Sequence, residues 1–386
     1  MLRRLLAACA LYAIMFGACL APALAQWPRQ VTDVLGRQVT IRQPPRAVLL
    51  GESFQLLTLS LIHPDPISLL VGMGGDLRRA DPESHAAFLR KFPALAQVPE
   101  LTTNLGQSFS VERALALNPD LVILSTWQAP LAETRQIMEF FAASGTPVVF
   151  IDLFQKPLAH TIPSIRLLGE VLDRREQADS FTHLLEEKFA RIRQRVAGHS
   201  GPAPRVLLNA FPGRWPCCWA AGDGGAGEFL AFVGARNIAS GLLSNSAGGQ
   251  LPLEQVLAQQ PDLYVGTGLF RPGDSTGLLL GTGVMTDAAR DSLRRVTQET
   301  TLADLDAVRA GHVHGLWNFF AGTAINIVAV EALARWVWPD LFGDLDPATT
   351  LAEINRFAAV PFEGAYWVSL DPAEDSPSPG PSPAAR

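Results

Sequence analysis

Leu115-Ala116-Leu117-Asn118-Pro119-Asp120-Leu121-Val122 has the same form as the later Val256-Leu257-Ala258-Gln259-Gln260-Pro261-Asp262-Leu263-Tyr264-Val265. Each reads as a helix end, a Pro-Asp turn and a buried strand. Proline cannot continue the helix, and the aspartate can bond neighbouring backbone N–H groups. A unit that occurs twice points to two related α/β lobes.

Around these copies lie short apolar runs: Ala47-Val48-Leu49-Leu50, Leu121-Val122-Ile123-Leu124, Val148-Val149-Phe150-Ile151, Val206-Leu207-Leu208 and Leu263-Tyr264-Val265. Pro, Gly or Asp bounds them, and helical stretches separate them. They are continuous rather than alternating, which suits parallel sheets buried on both faces. The fold class is therefore α/β, two lobes with mostly parallel sheets. Between the copies Ile162, Ile165, Leu168, Phe181, Leu184, Leu185, Phe189, Ile192 and Val196 recur at the spacing of one helix face. They predict a helix over 161–197 that bridges the lobes, with a break or kink where Asp173 and Glu176 form a capping-box-like pair. Two ordinary helices within one lobe are the alternative. The lobes then run over 26–160 and 198–370.

The 386-residue length allows more than one core. The net charge of −6 argues against nucleic acid, whose phosphates need a basic footprint, and 48% hydrophobic with 18% charged residues excludes a disordered chain. Residues 1–25 read as an export signal: Arg3 and Arg4, an apolar run over 5–20, and a small-x-small site at Ala23-Leu24-Ala25. Cleavage is expected after Ala25; lipidation at Cys19, or an uncleaved anchor, is the alternative. No later segment is apolar and long enough to span a membrane. Residues 371–386, rich in Pro and Ser, are expected to be a disordered tail.

Metal and catalytic motifs are weak. His312-x-His314 lacks a nearby acidic third ligand, and no nucleophile elbow or phosphate loop occurs. No catalytic residue, metal site or cofactor is expected.

Asp33-Val34-Leu35-Gly36-Arg37-Gln38-Val39-Thr40-Ile41 with Pro45-Arg46-Ala47-Val48 resembles the opening hairpin of the periplasmic substrate-binding proteins that serve ABC importers of ferric siderophores and cobalamin. Asn118-Pro119-Asp120-Leu121-Val122-Ile123 and Gly145-Thr146-Pro147-Val148-Val149 are similar to that family's first-lobe core. Trp317-Asn318-Phe319-Phe320, Asn326-Ile327, Glu331-Ala332-Leu333-Ala334 and Trp338-Pro339-Asp340-Leu341-Phe342 resemble its last strand and closing helices. The resemblance runs over about 31–360. It implies two lobes joined by one rigid helix, a bulky metal-chelate ligand between them, no chemistry on that ligand, delivery to an ABC importer permease, and a periplasmic monomer. An extracytoplasmic sensor or enzyme on the same fold is the alternative. Exposed acids on each lobe would meet the permease: Glu100 or Glu112 on the first, Glu228 or Glu254 on the second.

Ligands of open α/β sheets sit beyond the carboxyl ends of the strands. The residues found there are Glu52, Phe54 and Trp127 in the first lobe and Phe211, Trp215, Trp219, Phe270, Trp317 and Asn318 in the second, with Arg78, Arg214 and Arg271 beside them. Aromatic walls exclude water, and guanidinium groups bind anionic oxygens. After signal removal Cys217 and Cys218 are the remaining cysteines, adjacent and in an oxidising compartment. They can pair with each other or with another chain, hold a soft metal, or stay free. A vicinal disulfide, its apolar face on the ligand between Trp215 and Trp219, is the favoured reading, and all four residues belong to the expected site.

Overall fold

The computed structural model describes residues 27–102, 110–243, 246–298 and 300–375. The export segment with Cys19, and residues 376–386, lie outside them.

Both Pro-Asp units form as read, and each ties two strands together. Asp120 ends the turn after the helix Val111–Ala116, and its carboxylate accepts the N–H groups of Arg46 (2.8 Å) and Ala47 (2.9 Å). The strands Val48–Leu50 and Leu121–Ser125 then leave side by side and parallel. Asp262, after the helix Leu253–Gln259, accepts the Arg205 N–H (2.7 Å), and Arg205–Ala210 and Leu263–Gly268 leave in parallel in the same way.

In the N-terminal lobe Leu70–Met73 and Val148–Ile151 complete an all-parallel sheet on either side of that pair. In the C-terminal lobe Val313–Trp317 adds a third parallel strand. Antiparallel strands close that sheet, Trp219–Ala221 and Gly248–Gln250 at one edge and Trp367–Ser369 at the other. Leu121–Ser125 and Leu263–Gly268 are buried along their whole length, as continuous apolar runs should be.

The helical pattern over 161–197 is two helices, Pro157–Val171 and Arg175–Ala197, which corrects the single bridging helix. The break falls at the Asp173–Glu176 signal, but the chain reverses there instead of kinking. Asp173 takes a left-handed backbone (φ 57°), and Arg166 pairs with Glu186 at 3.0 Å across the reversal. Gly169 permits the close approach: a Cβ there would lie 2.4 Å from that of Ala178.

The lobes are joined by more than this connection. Gly322 N–H donates to the Leu153 carbonyl (2.8 Å), Asn326 to Thr161 (2.9 Å) and Ala359 N–H to the Ser60 carbonyl (2.8 Å). The helix Asn326–Val337 is buried at every residue. His314 is also buried, stacked on Trp336 at 4.3 Å with Nδ1 against Ser369 Oγ (3.0 Å), and burial pushes its imidazole down to about 3. The tail expectation is corrected at its start. Pro372–Asp375 forms a 3-10 turn, and Asp375 pairs with Arg290 at 2.7 Å and accepts the Ser369 N–H. Among the described residues no helix is long and apolar enough to cross a membrane.

Trp317 is a core residue, and its expected place in the ligand site is corrected. It is 1% exposed, and its ring meets Tyr366 edge-on at 5.2 Å and Phe320 at 5.6 Å. Room for it comes from Gly281, where a Cβ would stand 2.9 Å from the indole nitrogen. Trp317→Ala should therefore cost about 3–5 kcal/mol of folding stability, read from urea unfolding; a loss below about 1 kcal/mol would contradict a core role.

Candidate functional site

A cavity of about 580 Å³ lies between the lobes. Each of the parallel strands named above feeds it from its carboxyl end. From the N-terminal lobe come Glu52 and Phe54, Asp76, Ser125 with Trp127, and Leu153 with Phe154. From the C-terminal lobe come Phe211, Arg214 and Trp215, Leu269 and Arg271, and Asn318 with Phe319. The volume is that of a pocket for one bulky small molecule.

Local backbone geometry turns the aromatic groups into the space. Phe211 adopts a left-handed backbone (φ 53°), uncommon for a bulky residue, directly after its strand. Its N–H donates to the Thr267 carbonyl (2.9 Å), and its own carbonyl accepts from both Arg214 and Trp215 at 3.0 Å. The ring packs edge-on against Trp215 at 4.5 Å. At the floor Phe54 and Phe319, one from each lobe, meet at 4.3 Å.

The polar groups divide by lobe. On the first, Glu52 accepts the Ser125 hydroxyl and the Trp127 indole N–H, and Gln55 supports Ser125 at 2.9 Å. Burial, and then the charge of Asp76, push the Glu52 carboxyl from its usual 4.5 up to about 7. Asp76 is buried too and accepts the N–H groups of Ser53 (2.8 Å) and Phe54 (2.9 Å), so it holds the loop that carries Glu52. On the second lobe Arg214 pairs with Asp274 (2.8 Å) and donates to the Leu269 carbonyl (3.0 Å). Burial lowers its pKa. Arg214 Nη1 and Arg271 Nε are buried without a hydrogen-bond partner among the described residues.

Other expected site residues lie elsewhere. Arg78 is exposed and forms a two-point ion pair with Glu100, its Nε 2.8 Å from the carboxylate. Phe270 packs half-buried against the core while its neighbours Leu269 and Arg271 face the cavity, because alternate residues of an extended segment point to opposite sides. Trp219 lines a smaller adjoining cavity. Cys217 and Cys218 form the vicinal disulfide, but neither lines the main cavity or the smaller one beside it: Cys218 is fully buried and Cys217 packs on the core. Trp215 lines both the main cavity and the smaller one, and Trp219 the smaller one. Glu100 is engaged by Arg78, and Glu228 is half-buried and accepts the Leu158 N–H (3.0 Å), so neither is a free acid. Glu254 and Glu112 are exposed. Phe154 and Asp76 follow strands as Phe54 does, so the strand-end rule, applied to all strands, would have found them.

The family model for periplasmic binding proteins matches residues 86–317, more than half of the chain. Among curated proteins, a vitamin B12-binding protein of Pectobacterium carotovorum subsp. carotovorum is 27% identical over 159 residues, 41% of this chain; the match spans about half, 54%, of that protein. Among solved structures, the TroA-like periplasmic binding protein FepB of Veillonella parvula is 25% identical, with a TM-score of 0.79 over 89% of this chain and 100% of that one. A molybdate periplasmic binding protein of Haemophilus influenzae shares the fold at 18% identity, with a TM-score of 0.61 over 86% of this chain and 98% of its own.

Glu52 should titrate inside the cleft. Its folded-state pKa of about 7 lies above the unfolded value of 4.5, so the folded protein keeps a proton that the unfolded chain has released. Its contribution to stability is present at acid pH and is lost as the pH rises from 4.5 through 7. Trp127 fluorescence in the ligand-free protein should change with a midpoint near pH 7 and stay flat in Glu52→Gln. The decline of the unfolding midpoint with pH should become shallower in that variant without vanishing, because buried Glu331 is also raised to about 7.

Proposed function

Because this chain belongs to the periplasmic binding protein family, we propose that it captures a bulky metal chelate, of the ferric-siderophore or cobalamin kind, and delivers it to an ABC importer after export through its N-terminal segment. One observation carries the reading: the carboxyl ends of the parallel strands of both lobes converge on a single cavity with aromatic walls. Phe54, Trp127, Phe211 and Trp215 supply apolar area for a large rigid body, and Arg214 and Arg271 offer N–H groups to its oxygens. The similarity to a vitamin B12-binding protein supports the same ligand class. Tyr264 and Tyr366 are both fully buried, Tyr264 bonded to Asn209 (3.0 Å) and Tyr366 to Thr282 (2.7 Å), which favours a chelate over a tyrosine-ligated haem.

For delivery, the duplicated unit favours Glu112 and Glu254 as the docking pair. Glu112 and Glu254 are each the second residue of the helix that leads into a Pro-Asp turn, so they occupy equivalent places on the two lobes. Both are exposed, Glu112 bonded to the Ser110 hydroxyl at the start of its own helix (2.7 Å), whereas Glu100 and Glu228 are held by residues of other elements. A pair of exposed carboxylates, one per lobe, suits a partner that must grip both lobes at once.

Native mass spectrometry of the exported protein should show a single bound chelate, and tryptophan fluorescence titration with cyanocobalamin and ferric hydroxamates or catecholates should give saturable one-site binding without turnover. Trp127→Ala should weaken that binding by about 1–3 kcal/mol with folding retained; unchanged affinity would remove Trp127 from the site. Glu112→Lys combined with Glu254→Lys should abolish uptake in cells while ligand affinity stays that of the wild type. Normal uptake by the double variant would refute the docking pair.

A further inference from the structure

The C-terminal lobe holds a second cavity of about 280 Å³, which opens into the main cleft through the shared residues Phe154, Phe211, Trp215, Asn318 and Ala321. Its space is created by small side chains. Ala210 and Ala221 end two adjacent strands, Ala226 precedes the helix Gly227–Phe232, and Ala247 and Gly248 come from the edge strand and the residue before it. Leucine at any of the four alanines would take up much of this room. A Cβ at Gly248 would approach the Trp219 indole nitrogen to 3.0 Å, so glycine lets that ring lie close against the strand.

The rim is aromatic and pre-set. Trp215 and Trp219 meet edge-on at 5.4 Å and flank the Cys217–Cys218 disulfide. The Leu251 N–H donates to the Cys218 carbonyl (2.9 Å) and the Leu278 N–H to that of Pro212, which fixes the loop to the sheet. Yet the two indoles are 45% and 38% exposed, a large apolar surface to leave in water beside a cavity. The polar side chains of the lining other than the indoles, Thr267 and Asn318, bond each other at 2.7 Å. That bond occupies the Thr267 hydroxyl and the Asn318 carbonyl oxygen, so the lining that an occupant meets is mainly apolar.

Building on the solute-binding reading above, we propose that this cavity is a subsite for a flat apolar arm of the ligand, an aromatic group of one or two rings, inserted beneath Trp215 and Trp219 while the body of the ligand fills the main cleft. The volume, roughly twice the about 150 Å³ that takes up benzene in an engineered apolar cavity, matches such a group. The two cavities share five lining residues, so one ligand can fill both, its body in the main cleft and its arm in the smaller cavity. The exposed indole faces are then covered in the bound state.

The test uses the full mature protein and N-phenyl-1-naphthylamine, a neutral flat fluorophore that stands for the arm alone. The wild type should bind one equivalent with energy transfer from tryptophan. Ala226→Leu and Ala247→Leu, which fill the cavity, and Trp219→Ala, which removes its roof, should each weaken that binding about tenfold or more, whereas Phe140→Ala, an exposed aromatic on the first-lobe helix Ala132–Ser144, should change it by less than about threefold. Thermal melts confirm that the variants fold, and the roof variant gives the answer if a filling variant does not. Absence of probe binding to the wild type, or affinity retained in the folded filling and roof variants, would overturn the arm subsite. The two readings fail separately: chelate binding without the probe pattern would discard the arm, and the probe pattern in a protein that binds no chelate would discard the ligand class.

Discussion

Two aspartates set the frame on which the rest of the molecule is built. Asp120 and Asp262 each sit in a turn where proline has stopped a helix, and each carboxylate reaches the backbone N–H groups at the start of the neighbouring strand. Those N–H groups lie at the sheet margin, where a parallel ladder has not yet begun to satisfy them. The bond therefore does two jobs: it removes unsatisfied donors and it aligns the starts of two strands whose parallel register no hairpin can set. With the starts aligned, the strands finish together, and the loops after them assemble at one end of each lobe.

That arrangement explains why the cleft combines apolar walls with isolated polar groups. The sheets are buried, so the strands themselves carry little but hydrophobic residues, and chemistry has to come from the loops beyond them. Glu52 shows the electrostatic consequence. Its immediate donors are the neutral Ser125 and Trp127, and the larger charge effect on it comes from another carboxyl, Asp76. The environment therefore favours the neutral acid below about pH 7, where it adds little charge to the first-lobe wall. The opposite wall holds guanidinium groups with buried N–H atoms that have no partner among the described residues, so the two sides of the cleft differ in chemistry.

The lobes are also tied together beneath the site. Phe54 packs against Phe319 at the floor, and backbone bonds cross from Gly322 to Leu153 and from Ala359 to Ser60. The fully buried helix Asn326–Val337 runs behind this floor. Such contacts hold the facing walls at a set separation, so the aromatic groups meet a ligand already in position, which lowers the ordering cost of binding.

The two-lobed α/β class was legible in the sequence because it depends on local chemistry: continuous apolar runs, helix-stopping prolines and capping aspartates act over a few residues. The loops that supply the site were legible for the same reason, since they follow strand ends. Which side chain of a loop faces the cleft was not, because extended segments alternate sides and one residue of offset exchanges core for site. Trp317 fell inside and Asn318 and Phe319 outside; Phe270 packed on the core while Leu269 and Arg271 lined the cavity. The reversal at Asp173 was similarly hidden, since a break in helical periodicity marks a position but not the direction the chain takes next, and only the packing of Gly169 against Ala178 decided that.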